Sequence, residues 1–458
     1  MTRGPLEISR RGVLKAVGVG LGIGLLASPV EANADVRVFA YPRRGRDVQT
    51  AIEAQGGTLR AYDNFEFVAA QLPAKTLTAF RRDDRIAGIE LDGIVSALPV
   101  QGERVRPRDG RSGETKPWTR DGQFDETWRP DGRTAGTWTR DGWFEEFESR
   151  MREARSVETQ VRGSQSGQAS QTTSWGYTDI AADSAHDLGV TGEGVDIAVL
   201  DTGVDTRHSD LRIAGGRDCT DWWPWSTDYD DDNGHGTHCA GIATAHDNDN
   251  GVVGVAPDAN LYAVKVLGDS ASGFWSDAIE GIDWCISNRI PIISMSLGGD
   301  SIPSALRESL QRASDKGHLI VAAAGNHGND GDGDCDERNV DAPARNRHVL
   351  AVGASNSDGD VATFSSVGRR TELTAPGTSI YSTYKDNSYA TMSGTSMAAP
   401  HVAGVAALVW QTAGYGKPSG DEGAHVRDVL TSTAREIDGT CDEGYGLVDA
   451  YEAVRAVR

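Results

Sequence analysis

The stretch NGHGTHCAG, Asn233 to Gly241, sets two histidines three residues apart and a cysteine directly after the second. Nitrogen and sulfur so close together suggest either a metal site or a histidine that carries protons. Three other stretches bear on that choice. The apolar run VDIAVL leads into Asp201-Thr202-Gly203 and IVAAAG leads into Asn326, so a carboxylate and a side-chain amide each stand where a strand would end. In SGTSMAAPHVAG, residues 393–404, a Gly-Thr turn delivers Ser396 to the start of an apolar helix, with Pro400 early enough in it to be tolerated. Each piece has an ordinary explanation, because Asp and Asn commonly end strands as turn formers and a serine at a helix start is usually a cap. Together they supply a hydroxyl, an imidazole, a carboxylate and an amide donor, the set that acyl transfer uses.

These residues need a scaffold to converge. From Trp175 onward the runs VDIAVLD, NLYAVKVL, IPIISMSL, HLIVAAAGN and HVLAVGAS show little polar alternation, as expected of strands buried on both faces. Helical stretches FWSDAIEGIDWCIS, SALRESLQRASDKG and MAAPHVAGVAALVWQTAG lie between and after them. The pattern predicts a three-layer α/β domain with a mostly parallel central sheet, in which ligands collect at the carboxyl ends of the strands. Ahead of it, strand VRVFAY, helix DVQTAIEAQG, strands TLRAYD and FEFVAAQL, helix AKTLTAFRRD and strand IAGIELDGIVSAL predict a small α+β (βαββαβ) domain. On pattern alone that module could equally be an independent ligand-binding unit. Residues 101–170 are polar and rich in Gly and Arg, with WTRDG, WRPDG and WTRDG recurring at Trp118, Trp128 and Trp138; such short units cannot bury a core and read as a linker.

Charge is distributed unevenly. The net charge is −22, yet residues 1–170 hold 26 Lys+Arg against 24 Asp+Glu, while residues 171–458 hold 19 against 43. Acidity confined to the second part argues against nucleic acid as a partner. Only 7 of the 45 basic residues are lysine, so the surface resembles that of a protein from a salt-loving microbe, although GC-rich codon bias also favours arginine. Residues 1–34 read as a removed twin-arginine signal peptide: Ser9-Arg10-Arg11-Gly12-Val13-Leu14-Lys15, an apolar run to Leu26, and a small-x-small site ending at Ala34. No later stretch looks transmembrane, and the expected product is secreted, monomeric and without a membrane anchor. Five cysteines, at 219, 239, 285, 335 and 441, leave at least one thiol unpaired within the chain.

DTG at Asp201, HGTH at His235, AAGN ending at Asn326 and GTSMAAPH around Ser396, in that order on an α/β chain, resemble the subtilisin-like serine peptidases over residues 171–457. With its composition and leader the chain resembles the haloarchaeal extracellular halolysin type. The resemblance implies Ser396 as nucleophile, His235 as general base and acid, Asp201 as the group that orients the imidazole, and an oxyanion hole of Asn326 with the Ser396 backbone N–H. It also implies a substrate strand pairing with Ser296, Leu297 and Gly298, beside a pocket wall of Ala323, Ala324 and Gly325 suited to a large apolar side chain. A structural calcium ion would be held by the side chains of Gln171, Asp210 and Asn248 and the carbonyls of His246, Asn250 and Val252, all oxygen donors. The module at 35–100 becomes an inhibitory propeptide, 101–170 a linker removed on maturation, and 171–458 the peptidase domain of an autoprocessed zymogen. Protein and peptide substrates and the chain's own propeptide are then the partners.

Two other readings compete. A zinc hydrolase would use His235, His238 and Cys239, but neighbouring helical positions point about 100° apart and converge poorly. An inactive pseudopeptidase is disfavoured because no catalytic position is missing. His238 and Cys239 are accordingly expected to be packing residues. Two acidic clusters, Asp228 with Asp230 to Asp232, and Asp330, Asp332, Asp334 and Asp336, read as halophilic surface charge rather than further calcium sites.

Overall fold

The computed structural model describes residues 35–98, 171–220, 226–328, 339–437 and 441–458. The leader, the linker with its tryptophan repeat, the acidic stretch from Asp330 to Asp336 and Cys335 lie outside the described residues. So does the side chain of Cys441.

The N-terminal module follows the βαββαβ pattern: β1 (Asp35–Pro42), α1 (Val48–Glu53), β2 (Thr58–Ala61), β3 (Val68–Pro73), α2 (Leu77–Arg81) and β4 (Ile86–Leu91). Asp47 starts α1 by accepting the Thr50 N–H, the usual work of an N-cap. The sheet is antiparallel in the order β2-β3-β1-β4, and one face closes over Val36, Val38, Ala40, Ile52, Leu72 and Phe80. The run IAGIELDGIVSAL is not one strand, however. It breaks at Asp92-Gly93, and β5 (Ile94–Ala97) leaves the module's sheet for another. Gly93 permits the break, since a Cβ there would stand 3.0 Å from Trp275.

The larger domain adds α3 (Trp175–Asp179), α4 (Ala182–Asp187), β6 (Asp196–Asp201), β7 (Ile213–Asp218), α5 (His235–Thr244), β8 (Asn260–Lys265) and β9 (Ser272–Phe274). It continues with α6 (Trp275–Asn288), β10 (Ile292–Met295), β11 (Leu297–Gly298), α7 (Ser304–Asp315), β12 (Leu319–Ala323), β13 (Leu350–Ser355) and β14 (Leu373–Pro376). A hairpin of β15 (Ile380–Tyr384) and β16 (Ser388–Met392) precedes α8 (Thr395–Thr412), α9 (Glu422–Ser432) and α10 (Ala450–Ala456). Seven strands form one parallel sheet in the order β14-β13-β12-β10-β6-β8-β7.

Alternating residues of these strands feed two cores. Ile197, Ile292, Val321 and Val352 face α8 and α10, whereas Ala198, Leu200, Ile293, Ile320 and Ala351 face α6 and α7. The result is the three-layer α/β architecture that uninterrupted apolar runs require. Helix α8 is buried along nearly its whole length and is apolar all round, as expected of a helix at the centre of a domain. Edge strand β7 (IAGGRD) escapes the apolar-run signal because only its last residue is buried. No helix among the described residues is long and apolar enough to cross a membrane.

The module packs on α6 and α7. Phe39, Tyr62, Phe65 and Phe67 join the core formed by Ile279, Ile282, Leu306 and Leu310, with Phe65 and Phe67 stacked at 5.3 Å. Arg37 and Arg60 both reach the buried carboxylate of Asp277, at 3.2 and 2.9 Å, and Arg37 also lies over the Phe274 ring. Asp283 accepts the backbone N–H groups of Asp63 and Asn64.

Candidate active site and substrate cleft

The parallel sheet delivers Asp201 as the last residue of β6, and β12 ends just before Ala324, Gly325 and Asn326. His235 opens α5 and Ser396 lies in the first turn of α8, so the four residues come from two strand ends and two helix starts. His235 Nδ1 stands 2.8 Å from Asp201 Oδ1, which also accepts the Thr202 N–H at 2.7 Å. Gly236 makes this approach possible: a Cβ there would sit 2.2 Å from the Gly203 carbonyl and 3.0 Å from Asp201 Cβ. Burial disfavours the imidazolium of His235, but the Asp201 carboxylate outweighs it and holds the histidine well above its ordinary value.

Cys239 Sγ lies 4.0 Å from His235 Nδ1 and 3.4 Å from the Ser396 carbonyl, so one buried thiol touches the starts of both helices. Ser396 Oγ donates to the Ser296 carbonyl at 3.4 Å, and Ser296 Oγ donates to the Ser396 carbonyl at 2.8 Å. His235 Nε2 is buried without a hydrogen-bond partner, so hydroxyl and imidazole are not bonded to each other. Such looseness is common before a substrate is bound. Asn326 Oδ1 accepts both the backbone N–H and the hydroxyl of Thr395 at 2.9 Å, and those donors fix which way its amide faces. The Ser396 N–H belongs to the first turn of α8, whose N–H groups have no intrahelical acceptor.

The HGTHC cluster separates by residue. His238 Nε2 faces the carbonyls of Ile380 and Ala390, its side chain ties α5 to the β15-β16 hairpin, and burial holds it down to about 3. Its ring therefore does not join His235 and Cys239 around a common point. Asp201, His235 and Cys239 do cluster, but the Nδ1 a metal would need is engaged with Asp201. Cys219, Cys239 and Cys285 are all buried free thiols.

Strand β5 enters at the expected substrate segment. It lies antiparallel to β11 on one side, with Ala97 opposite Leu297 and Ser96 opposite Gly298, and to β9 on the other, with Ile94 opposite Phe274. Continuing the register by one residue sets Leu98 beside Ser296, and hence beside Ser396. Leu98 is buried in the same apolar cluster as Ala323. Gly298 lies directly against this side chain: a Cβ there would stand 2.6 Å from Leu98 Cδ2.

The residues matched to calcium ligands also come together. Gln171 Nε2 donates to the His246 carbonyl, Asn248 Nδ2 and the Val252 N–H donate to the two oxygens of Asp210, and the Asn250 N–H donates to Asn248 Oδ1. Asp210 is fully buried, and desolvation raises it above the usual carboxylate value. A Cβ on Gly251, whose φ is +62°, would come within 2.4 Å of Asp210 Oδ2, so the loop closes tightly on that carboxylate.

The acidic cluster before His235 is not uniform surface charge. Asp232 is exposed beside Lys265, but Asp231 is buried and accepts from Thr202 Oγ1, the N–H groups of Asn233 and Gly234, and the N–H and hydroxyl of Thr237. It ties the loop after Asp201 to the start of the His235 helix. Its place just ahead of Asn233-Gly234 and four residues before His235 is a capping pattern, the signal that could have set it apart from its neighbours.

Comparison with known proteins agrees with this geometry. The subtilase family model matches residues 192–448. Subtilisin DY of Bacillus licheniformis is 41% identical over 285 residues, covering 62% of this chain and all of the relative. Subtilisin Savinase of Lederbergia lenta is 42% identical over 285 residues with the same coverage of both chains, and a thermostable alkaline protease of Halalkalibacterium halodurans is 44% identical over 286 residues, 62% of this chain and 74% of its own. Sheet order, cleft and matched sequence lead to one conclusion: the chain belongs to the subtilase family and is a subtilisin-like serine endopeptidase.

Proposed function

We propose that the chain hydrolyses peptide bonds through an acyl-enzyme on Ser396. The observation that carries this reading is the 2.8 Å Asp201–His235 pair, joined through the Cys239 thiol to the start of the buried helix that bears Ser396. His235 Nε2 takes the Ser396 proton, Oγ attacks the scissile carbonyl, and the same nitrogen then protonates the departing amine. Asp201 holds the imidazole in one tautomer and stabilises its cation. The oxyanion lies between Asn326 Nδ2 and the Ser396 N–H, where the positive end of α8 adds to its stabilisation. Water repeats the sequence to release the acid product.

The N-terminal module is read as an inhibitory propeptide whose tail, β5, lies as substrate would; β5 obtains both of its pairing partners from the larger domain, which supports this. The linker at 101–170 would be removed on maturation, leaving a peptidase that begins near Gln171. The twin-arginine leader supports export to the outside of the cell, and the acidic, lysine-poor composition supports work in concentrated salt. Calcium would be held by Asp210, Asn248, Gln171 and the carbonyls of His246, Asn250 and Val252, a set of hard oxygens around a desolvated carboxylate. Its part would be to stiffen the loop, with no role in the reaction.

Casein hydrolysis in high salt tests the central reading. Wild type is expected to be active and labelled by a serine-directed covalent inhibitor, whereas Ser396→Ala is expected to be unlabelled and inactive. Near-normal hydrolysis by purified Ser396→Ala would overturn it.

A further inference from the structure

Small residues at Ala323, Ala324 and Gly325 suggested a pocket for a large apolar side chain. The structure adds a carboxylate. The Asp341 N–H donates to the Ala324 carbonyl at 2.8 Å, and its side chain is only 8% exposed. A Cβ on Gly325 would lie 2.8 Å from Asp341 Oδ2, and one on Gly298 would lie 3.1 Å from the same oxygen and 2.6 Å from Leu98 Cδ2. Asp341 therefore stands against both walls of the slot that Leu98 fills, with its carboxylate within about 6 Å of the end of that side chain. Among the described residues its ion-pair partner is His327, whose Nε2 is 3.0 Å from both carboxylate oxygens and whose side chain is 42% exposed.

We propose that Asp341 makes this slot a recognition site for lysine or arginine at the substrate residue preceding the cut. The inference rests on the reading that β5 lies as a substrate does. A leucine side chain ends at its δ carbons, whereas lysine runs two atoms further and arginine further still, far enough to reach the carboxylate. A buried carboxylate beside one partly exposed imidazole gains a strong, charge-assisted partner when a basic side chain enters, and loses solvation without return when an acidic one does. Leu98 leaves that charge to His327. The docked tail thus fills the slot without its best contact, which suits an occupant that has to be displaced.

The test uses full-length chain incubated until its casein activity reaches a plateau, with peptide substrates identical except for Lys, Leu or Glu at the residue before the cut. Wild type is expected to show kcat/KM in the order Lys above Leu, with Glu lowest. Asp341→Asn should lower the Lys to Leu ratio by about thirtyfold or more, the usual cost of deleting one partner of a desolvated charge pair. Should that variant fold poorly, His327→Gln, on the exposed side, keeps the carboxylate and removes its competitor, and is expected to raise the ratio. A wild-type enzyme that cuts neither the Lys nor the Leu peptide would overturn the cleft reading. A protein that cuts both, at a ratio indifferent to Asp341→Asn and to His327→Gln, overturns the role of Asp341 alone.

Discussion

Ser96 and Gly298 face each other in an antiparallel ladder, one contributed by the N-terminal module and the other by the peptidase domain. Because the neighbouring Leu98 side chain packs directly on Gly298, Gly298→Ala should disturb the tail and a substrate alike. The expected result is a KM raised about tenfold for peptides with a large residue before the cut, with a smaller change for alanine there, since binding rather than chemistry is altered. Steady-state kinetics on the two peptides decide it.

The acid limb of the pH–rate profile follows from His235. Only the neutral imidazole accepts the serine proton, and Asp201 holds its pKa well above the ordinary 6.5, so kcat/KM should rise with pH through an apparent value higher than that. Asp201→Asn removes the charge that stabilises the cation. It should move the limb to lower pH and reduce kcat by roughly four orders of magnitude. A pH–rate profile with an unmoved limb would rule out Asp201 as the source.

Release of the docked module should become easier as pH rises. Asp92 lies buried where the module meets α6, accepts the Ser276 N–H, and is pushed up to about 7 by desolvation. A carboxyl raised in the docked state is neutral on both sides of the equilibrium at low pH, and ionises first in the free module. Docking therefore loses affinity between the free value near 3.9 and about 7, and levels off above that. Asp277 and Asp283 are raised as well, and act in the same direction. Activation of full-length chain, followed as the lag before casein hydrolysis, should shorten over that interval, and Asp92→Asn should flatten the dependence.

Asp231→Ala is expected to lower kcat roughly a hundredfold with little change in KM. Five hydrogen bonds from Thr202, Asn233, Gly234 and Thr237 lose their acceptor, and the Asp201 loop is no longer fastened to the His235 helix. Asp231→Asn, which keeps the shape and part of the bonding, should recover part of the rate.

A chelator should lower the melting temperature by several degrees, as expected for an ion present at about a hundred times its Kd. Asp210→Asn should melt at the chelated temperature and show no further fall on chelation. A wild-type curve indifferent to chelator removes the ion from the account.

Much of this was legible in the residues because the chemistry sits at element ends. Apolar runs without alternation announced the parallel sheet, and Asp201, Asn326 and Ser396 were each marked by a change from apolar run to polar turn. Edge strand β7, with Gly215 and Gly216 and little burial, carries no such mark. The break at Asp92-Gly93 was hidden because both halves of IAGIELDGIVSAL are apolar, and only the destination of each half distinguishes them. Asp231 and Asp341 were missed for a common reason: an aspartate's burial depends on partners remote in sequence, whereas a valine declares its own.

With the tail removed, β9 and β11 face each other as two open edges separated by the width of one strand, about 10 Å between their backbones. A substrate that takes the place of β5 must be extended over about four residues, paired with β9 where residues 94–96 now lie and with β11 where Ser96 and Ala97 lie. A helix, a tight turn or a strand already paired in its own sheet cannot comply. An enzyme that binds substrate in this way reads conformation before it reads sequence, and compact proteins, its own folded copies among them, should be cut only as often as they open locally.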